Sequence, residues 1–222
     1  MVNPAAGGGR ARARAGAARD ALERVGDVHM VESDCRGDET RLALEAHAAG
    51  ASALVVLGGD GAVTHAARGL IEARSSVPLT MFAAGTANDF ARNLQLPSHD
   101  YLAMAALVER GTTRRIDAGT VDGVAFVNAA GFGFDAAIVS QVAQRGGHAG
   151  RMTYAALALR SLHSYRGFDA SVETSSGVTK EFDSTVRRSH PHGATDKRLM
   201  LVFANGAYFG GAFCIAPGAS VT

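Results

Sequence analysis

The sequence contains few of the features that mark disulfide-stabilised, disordered or membrane-spanning proteins. Its 222 residues include two cysteines, five prolines and no tryptophan. Cys35 and Cys214 lie far apart and match no metal-ligand spacing, so we interpret both as free thiols. Apolar stretches such as residues 53–57 and 199–204 fall far below the roughly 20 residues that a membrane-spanning helix needs. These absences indicate a globular chain without a transmembrane helix.

The chain also lacks an excess of charge of either sign. Its 22 basic and 21 acidic residues give a formal net charge of +1, and the chain has no polybasic run. This balance argues against a nucleic-acid partner and against permanent attachment to a membrane surface. Residues 1–4 lack the basic and apolar stretches of a signal peptide, which predicts a cytoplasmic protein. Any contact with lipid must therefore be local.

Helix and strand patterns alternate through the first half of the chain. Helices are predicted at residues 16–24, 38–49, 62–73 and 98–110, and strands at residues 28–31, 53–57, 77–82 and 115–121. This alternation is typical of an α/β domain built on a parallel sheet. We assign it to residues 1–117.

The pattern changes after Asp117. Asp122-Gly123 lies between two apolar stretches and predicts a two-residue hairpin turn. Further strands are predicted at residues 168–174, 178–186 and 198–204, with helices at 134–144 and 152–165. We therefore predict a second, β-rich domain over residues 118–222.

The segment most informative about function is a buried strand that ends in a glycine turn and a helix start. Residues 53–57 are apolar, Gly58-Gly59-Asp60-Gly61 follows, and a helix is predicted from Ala62. Glycine permits positive φ and close approach to the backbone, and a helix N-terminus attracts anions. The segment therefore predicts a phosphate site and a nucleotide ligand, although the same four residues are also compatible with an ordinary turn.

Two further loops have a similar character. Residues 84–94 follow a predicted strand and open a helix, so they should lie beside the first glycine turn at the carboxyl edge of the sheet. Thr86 and Asp89 also have the spacing of a capping box, in which they would only cap helix amides. Residues 3–10 precede the first helix and are alternatively a flexible terminus.

Taken in order, these three loops resemble the motifs of the diacylglycerol kinase catalytic domain family of lipid kinases. Residues 85–92, Gly-Thr-Ala-Asn-Asp-Phe-Ala-Arg, are the most specific match, and segments 116–119, 128–135 and 205–219 extend the resemblance over nearly the whole chain. The resemblance implies an N-terminal α/β domain like those of NAD kinases and phosphofructokinases. It also implies a C-terminal β-sandwich domain, with ATP bound in the cleft between the two.

The resemblance implies a reaction and its partners as well. The γ-phosphoryl group of ATP, with Mg²⁺, would be transferred to the hydroxyl of a lipid alcohol at the membrane surface, with a diacylglycerol-like lipid as the first candidate. The protein would meet the membrane peripherally and transiently, and a homodimer is one assembly to test. NAD kinase, which shares the glycine-aspartate loop, stays open as a second enzyme.

The residues of the site are also implied by the resemblance. Nucleotide contacts are implied for Asn3, Pro4, Ala5, Ala6, Gly7, Ser33, Gly58, Gly59, Asp60, Gly61, Ala62, Val63, Thr64 and Thr86. Asp60, Asp89 and Asp117 would form an acidic network that joins the loops to a metal ion, although each is also a common turn or cap residue. The general base is expected beyond Thr222, in an Asp-Gly pair that would follow the segment beginning at Ala216-Pro217.

Two residues depart from the family pattern. The threonine usual after the glycine turn is Ala62 here, and the glutamate expected three residues later is His65. A hydroxyl and a carboxylate are therefore missing beside the expected phosphates, which keeps open a nucleotide-binding protein without turnover. His65 is alternatively a hydrogen-bonded structural histidine. We also expect a fragment that lacks the family's complete first strand and its last strands, and is therefore inactive alone.

Overall fold

The computed structural model describes residues 1–144, 151–168 and 199–221. The helices in these ranges are α1 (Ala6–Leu22), α2 (Glu39–Ala48), α3 (Asp60–Glu72), α4 (Asp89–Asn93), α5 (Tyr101–Glu109), α6 (Phe134–Gln144) and α7 (Arg151–Leu162). The strands are β1 (Leu54–Gly58), β2 (Leu79–Ala83), β3 (Gly119–Val121), β4 (Val124–Phe126), β5 (Ala129–Gly133), β6 (Met200–Ala204), β7 (Tyr208–Phe209) and β8 (Phe213–Cys214).

Two parallel strands, β1 and β2, and the backbone at Val2 and Glu32 form the centre of the N-terminal α/β part. β1 pairs with β2 in parallel, from Leu54 opposite Leu79 to Gly58 opposite Ala83. On the other side of β1, Val2 forms parallel bridges to both Leu57 and Glu32. The prediction of a strand at residues 28–31 is wrong, because the pairing observed there is a single bridge between Val2 and Glu32, which is too short to form a strand.

Helices cover both faces of these strands because successive strand residues point to opposite sides. Val56 and Met81 are paired and lie in one core cluster with residues of α2 and α3. Leu57 and Phe82, one position further along each strand, lie in a second cluster with residues of α1 and α5. The alternating α/β pattern predicted for this half is therefore confirmed, with α2, α3 and α5 close to their expected ranges.

Two predicted boundaries are wrong. The first helix is assigned from Ala6 rather than from near residue 16, but Gly7, Gly8 and Gly9 have left-handed φ values of 62°, 70° and 91°, so its regular part begins at Arg10. Glycine runs have low helix propensity, so the pattern concealed this early start. The strand expected at residues 115–121 begins only at Gly119.

The predicted hairpin turn is confirmed. β3 and β4 pair antiparallel with Val121 opposite Val124, so Asp122 and Gly123 are the two turn residues. Their φ values are 50° and 76°, the left-handed pair that a type I′ hairpin turn requires. An aspartate followed by glycine meets this requirement at low cost.

The C-terminal half contains paired strands and two helices. β3–β4, β5–β6 and β7–β8 each form a two-stranded sheet. Residue contacts divide the chain into one compact unit of residues 1–130 and 203–222 and a second of residues 131–202. Of the strands predicted at 168–174 and 178–186, all but residue 168 lies outside the described residues, so the β-sandwich and the division into 1–117 and 118–222 stay predictions. Within the described ranges, none of the helices has the length and apolar character needed to cross a bilayer.

Within the second unit, α6 and α7 pack together. Gln141 Nε2 donates to Ser161 Oγ at 3.2 Å. Asp135, in the first turn of α6, is buried, and its Oδ1 has no hydrogen-bond partner among the described residues. Burial raises the pKa of its carboxyl.

Candidate functional site

The glycine turn after β1 and the loop after β2 touch through their backbones. Gly85 N donates to Gly58 O at 3.0 Å. A Cβ added to Gly59 would lie 3.0 Å from Gly85 Cα, and one added to Gly85 would lie 2.5 Å from Gly59 Cα. Gly59 has φ −120°, so it is glycine because of this close approach and not because of positive φ, which corrects the sequence-based expectation.

The first loop, residues 3–10, contacts the third loop, residues 84–94, through Gly7 and Arg10. A Cβ on Gly7 would collide with Ala84 O. Arg10 Nε donates to Gly7 O and its Nη2 donates to Gly85 O, both at 3.0 Å. The three loops expected to surround a nucleotide are therefore brought together at the carboxyl ends of the parallel segments. Sequence reasoning missed Arg10 as a link, although a basic residue directly after the glycine run was a signal.

Asp60 begins α3 and caps a different helix. Its Oδ1 accepts a hydrogen bond from Phe90 N, in the first turn of α4, at 2.8 Å. Burial raises the pKa of Asp60, backbone donors at the start of α4 oppose the rise, and the nearby charge of Asp89 adds to it. The Asp60 carboxylate thus joins the glycine turn at residues 58–61 to the third loop, residues 84–94.

Asp89 binds a distant turn rather than its own helix. Its Oδ2 accepts from Gly211 N at 2.9 Å and its Oδ1 from Ala212 N at 2.7 Å. The capping-box alternative for Thr86 and Asp89 is wrong, because both Asp89 oxygens are taken by that turn and Thr86 is exposed. Instead Asn88, in the left-handed region with φ 57°, closes the loop by hydrogen bonds to Gly85 N and O.

The expected acidic network is brought together in part. Asp60 and Asp89 lie close enough for their charges to interact. Asp117 is exposed, and the hydrogen bonds described for it involve its backbone: its N donates to Val221 O and its O accepts from Asn205 Nδ2. Among the described residues, no group of three or more histidine, cysteine or carboxylate side chains is placed to hold a metal ion.

Three asparagines that sequence reasoning did not single out bind the C-terminal segment: Asn93 joins it to α4, Asn128 also contacts it, and Asn205 joins it to the backbone at Asp117 and Val127. Asn93 Oδ1 accepts from Tyr208 N at 2.9 Å, and its Nδ2 donates to Asn128 Oδ1 and to Tyr208 O. Asn205 Nδ2 donates to Val127 O at 2.9 Å. Asp89 and Asn93 are four residues apart on α4, so the same helix face contacts the segment at residues 208, 211 and 212. Asn93 follows directly on the most specific motif, which was the available signal.

The remaining predicted residues divide between the loop surface and the protein interior. Ala62 and Val63 are buried in the core cluster of α3, and Thr64 Oγ1 donates to Asp60 O of its own helix at 2.8 Å. Gly61 is exposed at the start of α3. Asn3 and Ser33 both donate to Glu39, a buried carboxylate in the polar segment 33–40 that sequence reasoning missed.

Known proteins share these sequence features. The family model described as "Diacylglycerol kinase catalytic domain" matches residues 1–121. The chain belongs to this family. A "Probable lipid kinase YegS-like" of Pseudomonas aeruginosa is 37% identical over 139 residues, which cover 63% of this chain and 44% of that protein. A "Diacylglycerol kinase" of Mycobacterium tuberculosis is 34% identical over 160 residues, covering 69% and 51%.

The fold is also similar to that of solved family members. The crystal structure of a diacylglycerol kinase from Bacillus anthracis matches with a TM-score of 0.70 at 22% identity, covering 99% of this chain and 66% of that one. The chain spans about half the length of the curated relatives it matches. The expected membership of the diacylglycerol kinase catalytic domain family is confirmed by the match of the family model to residues 1–121.

His65, one of the two departures of this chain from the family pattern, lies against α2. Its backbone O accepts from Thr40 Oγ1 at 2.9 Å, and its Nδ1 lies 3.4 Å from Arg68 Nη1. Burial lowers the pKa of His65 and the Arg68 charge lowers it further, while the charge of Glu39 opposes both. This shift favours the neutral imidazole.

Proposed function

We propose that the protein is an ATP-dependent lipid kinase that transfers the γ-phosphoryl group of ATP to a hydroxyl of a diacylglycerol-like lipid. The observation that carries the proposal is the meeting of three glycine loops at the carboxyl ends of parallel segments. Gly59 and Gly85 approach so closely that neither tolerates a Cβ without a shift, and Arg10 joins Gly7 to Gly85. Family membership and the names of the relatives support the same activity.

The loops suit phosphoryl transfer because that chemistry needs positioning and charge stabilisation more than covalent help. The first N–H groups of a helix have no partner within the helix and favour an anion. α3 begins at Asp60 directly after the glycine turn, and Gly61 leaves its first turn exposed. We therefore assign the phosphates to this helix start, with the backbone of the first and third loops beside it.

Magnesium would arrive with ATP rather than occupy a protein cage. Mg²⁺ keeps several waters and usually takes one or two carboxylates besides phosphate oxygens. Asp89 is buried and Asp60 is partly buried, and the charges of their two carboxylates repel each other, which suits a neighbouring cation. Asp60, at the glycine turn, is the residue we propose to hold the ion or one of its waters. The ion would neutralise charge on the transferring phosphoryl group.

The lipid alcohol would be reached at a membrane surface, where the protein acts peripherally. The general base is proposed to lie beyond residue 222, and assembly as a homodimer is a further proposal. A nucleotide-binding protein without turnover is the second candidate, favoured by Ala62 and His65 in place of a hydroxyl and a carboxylate.

The test is transfer of labelled phosphate from ATP to diacylglycerol in mixed micelles, with NAD as a competing acceptor. The assay compares residues 1–222, any longer natural form of the protein, and the Asp60→Ala variant of each. Labelled phosphatidic acid that Asp60→Ala abolishes supports the proposal. Labelled NADP would assign an NAD kinase instead, and ATP binding without transfer in every form would assign the second candidate.

A further inference from the structure

We propose that Glu39 is a positioning residue for nucleotide binding, which fixes the first loop through the side chain of Asn3. The inference rests on the proposed function, because it takes the first loop to be part of the ATP site. Glu39 opens α2 and is 1% exposed, the most deeply buried of the charged side chains that the structure describes. A carboxylate is buried in this way only when hydrogen bonds compensate for the loss of water.

The Glu39 carboxylate accepts three hydrogen bonds. Its Oε1 accepts from Asn3 Nδ2 at 2.7 Å and from Ser33 Oγ at 3.2 Å, and its Oε2 accepts from Gly37 N at 3.1 Å. Two of these donors are side chains expected to contact the nucleotide. One carboxylate therefore connects the first loop, the segment after the Glu32 bridge and the start of α2.

The amide of Asn3 is fixed at both ends. Its Nδ2 donates to Glu39, while its Oδ1 accepts from Ala5 N at 3.2 Å. An ionised carboxylate only accepts and a backbone N–H only donates, so the reversed amide would lose both bonds. The backbone of Asn3 is bound as well, since its N donates to Leu57 O and its O accepts from Ala6 N. Glu39 is thus the contact that selects one conformation of the loop leading to Gly7.

The charge of Glu39 could act in the opposite way. A carboxylate near bound phosphates would repel them and weaken binding, in which case its removal would improve affinity. Three hydrogen-bond donors already compensate the charge of Glu39. Glu39 binds the loop at residues 3–10 through the side chain of Asn3. The two possibilities predict opposite signs for the same substitution, and we expect the positioning effect to dominate.

The experiment is calorimetric titration with Mg-ATP of the parent, Glu39→Gln, Asn3→Ala and the double variant. Glutamine has the same shape, but turning its oxygen toward Asn3 places its NH₂ against Gly37 N–H. Losing a hydrogen bond to a charged group raises a dissociation constant by about tenfold. We therefore expect each single variant to bind Mg-ATP about tenfold more weakly than the parent. Because Glu39 acts through Asn3, the double variant should bind little more weakly than Asn3→Ala alone.

Glu45→Gln is the matched control, since Glu45 is an exposed carboxylate on the same helix that pairs with Arg41 at 2.7 Å. It should bind Mg-ATP like the parent. All titrations are made at a temperature where thermal unfolding shows each variant to be folded. Should Glu39→Gln fail to fold, Glu39→Asp keeps the charge, withdraws it by one methylene from Asn3, and should also bind more weakly.

Three results would overturn the inference alone: parent-like affinity in a less stable Glu39→Gln, tighter binding by that variant, or fully additive losses in the double variant. Failure of the parent itself to bind Mg-ATP would instead overturn the proposed function. The two failures are therefore distinguishable. A stability loss without a change in affinity is the signature of a merely structural carboxylate.

Discussion

Substituting Gly85 by alanine tests whether the contact between two glycine loops shapes the candidate site. The added Cβ would lie 2.5 Å from Gly59 Cα and 2.8 Å from Asn88 Oδ1. Ordinary van der Waals contact begins near 3.4 Å, so the loops would have to separate by about 1 Å. A shift of that size would strain the hydrogen bond of 3.0 Å between Gly85 N and Gly58 O.

The expected cost follows from this geometry. Overpacking of a well-packed contact lowers the free energy of unfolding by about 1–3 kcal/mol, and we expect about 2 kcal/mol for Gly85→Ala. Gly59→Ala should cost less, because its Cβ would lie 3.0 Å from Gly85 Cα. The shift would also move backbone donors of both loops away from the proposed phosphates, and losing one hydrogen bond to a charged group should weaken Mg-ATP binding by about tenfold.

Urea unfolding measures the stability of each variant, and calorimetric titration measures its affinity for Mg-ATP. Gly16→Ala is the matched control: Gly16 is exposed within α1, and a Cβ there would meet nothing within 4 Å. It should gain roughly 0.5–1 kcal/mol from helix propensity and bind Mg-ATP like the parent. If Gly85→Ala unfolds at the parent's urea concentration and binds equally well, the two loops do not touch as described and the reasoning is refuted.

Three further predictions concern the helices around the site. Gly69→Ala should lower the free energy of unfolding by about 1–3 kcal/mol in urea titrations, despite alanine's better helix propensity, because its Cβ would collide with the backbone oxygen of Thr40 and lie 2.9 Å from Ala43 Cβ. Equal stability would contradict this α2–α3 packing. Asp60→Asn keeps an oxygen for Phe90 N but removes a partly buried charge, so the free energy of unfolding should stay equal or rise by about 1 kcal/mol. Calorimetry should show Mg-ATP binding more than tenfold weaker, and undiminished binding would exclude Asp60 from the ion site. Burial lowers the pKa of His65 below its unfolded value of 6.5, so protonation favours the unfolded state and the free energy of unfolding should fall as the pH drops below about 6.5. The urea midpoint of His65→Gln should fall less over the same pH range. An equal fall in the two proteins would contradict the pKa shift.

The sequence was sufficient to predict the α/β part because its signals are local. Apolar strand residues such as Val56 and Leu57, followed by glycine and a helical pattern, need no distant partner to be recognised. The same holds for Asp122-Gly123, whose residue types fit a left-handed turn directly. Where neighbours along the chain decide the conformation, the predictions are confirmed.

Other features depend on distant residues and could not be predicted in this way. The pairing of Glu32 is set by Val2, and the conformation of Gly59 is set by the approach of Gly85. Local spacing suggested that Asp89 would cap its own helix, but a tertiary contact with Gly211 proved stronger. Tertiary contacts override local preference at each of these positions.

Buried polar residues were the hardest part of the candidate site to predict. Acidic residues are common in the first turn of a helix, so the position of Glu39 in the sequence does not indicate that it is buried. The sequence likewise does not indicate that the side chains of Asn93 and Asn128 bind each other and the backbone of Tyr208, because Tyr208 lies far away along the chain. Their roles follow from three-dimensional proximity, which the residue type alone does not indicate.

The shortness of α4 has a consequence for how the site assembles. A helix of five residues is not stable alone, because isolated helices shorter than about 12 residues are marginal in water. α4 obtains its amide cap from Asp60, 30 residues earlier, and its acidic residue Asp89 is engaged by amides 122 and 123 residues later. Such non-local contacts form late in folding and open readily in the folded state. The amides of α4 should therefore exchange with solvent deuterium sooner than those of α3, and a ligand bridging the loops would slow that exchange.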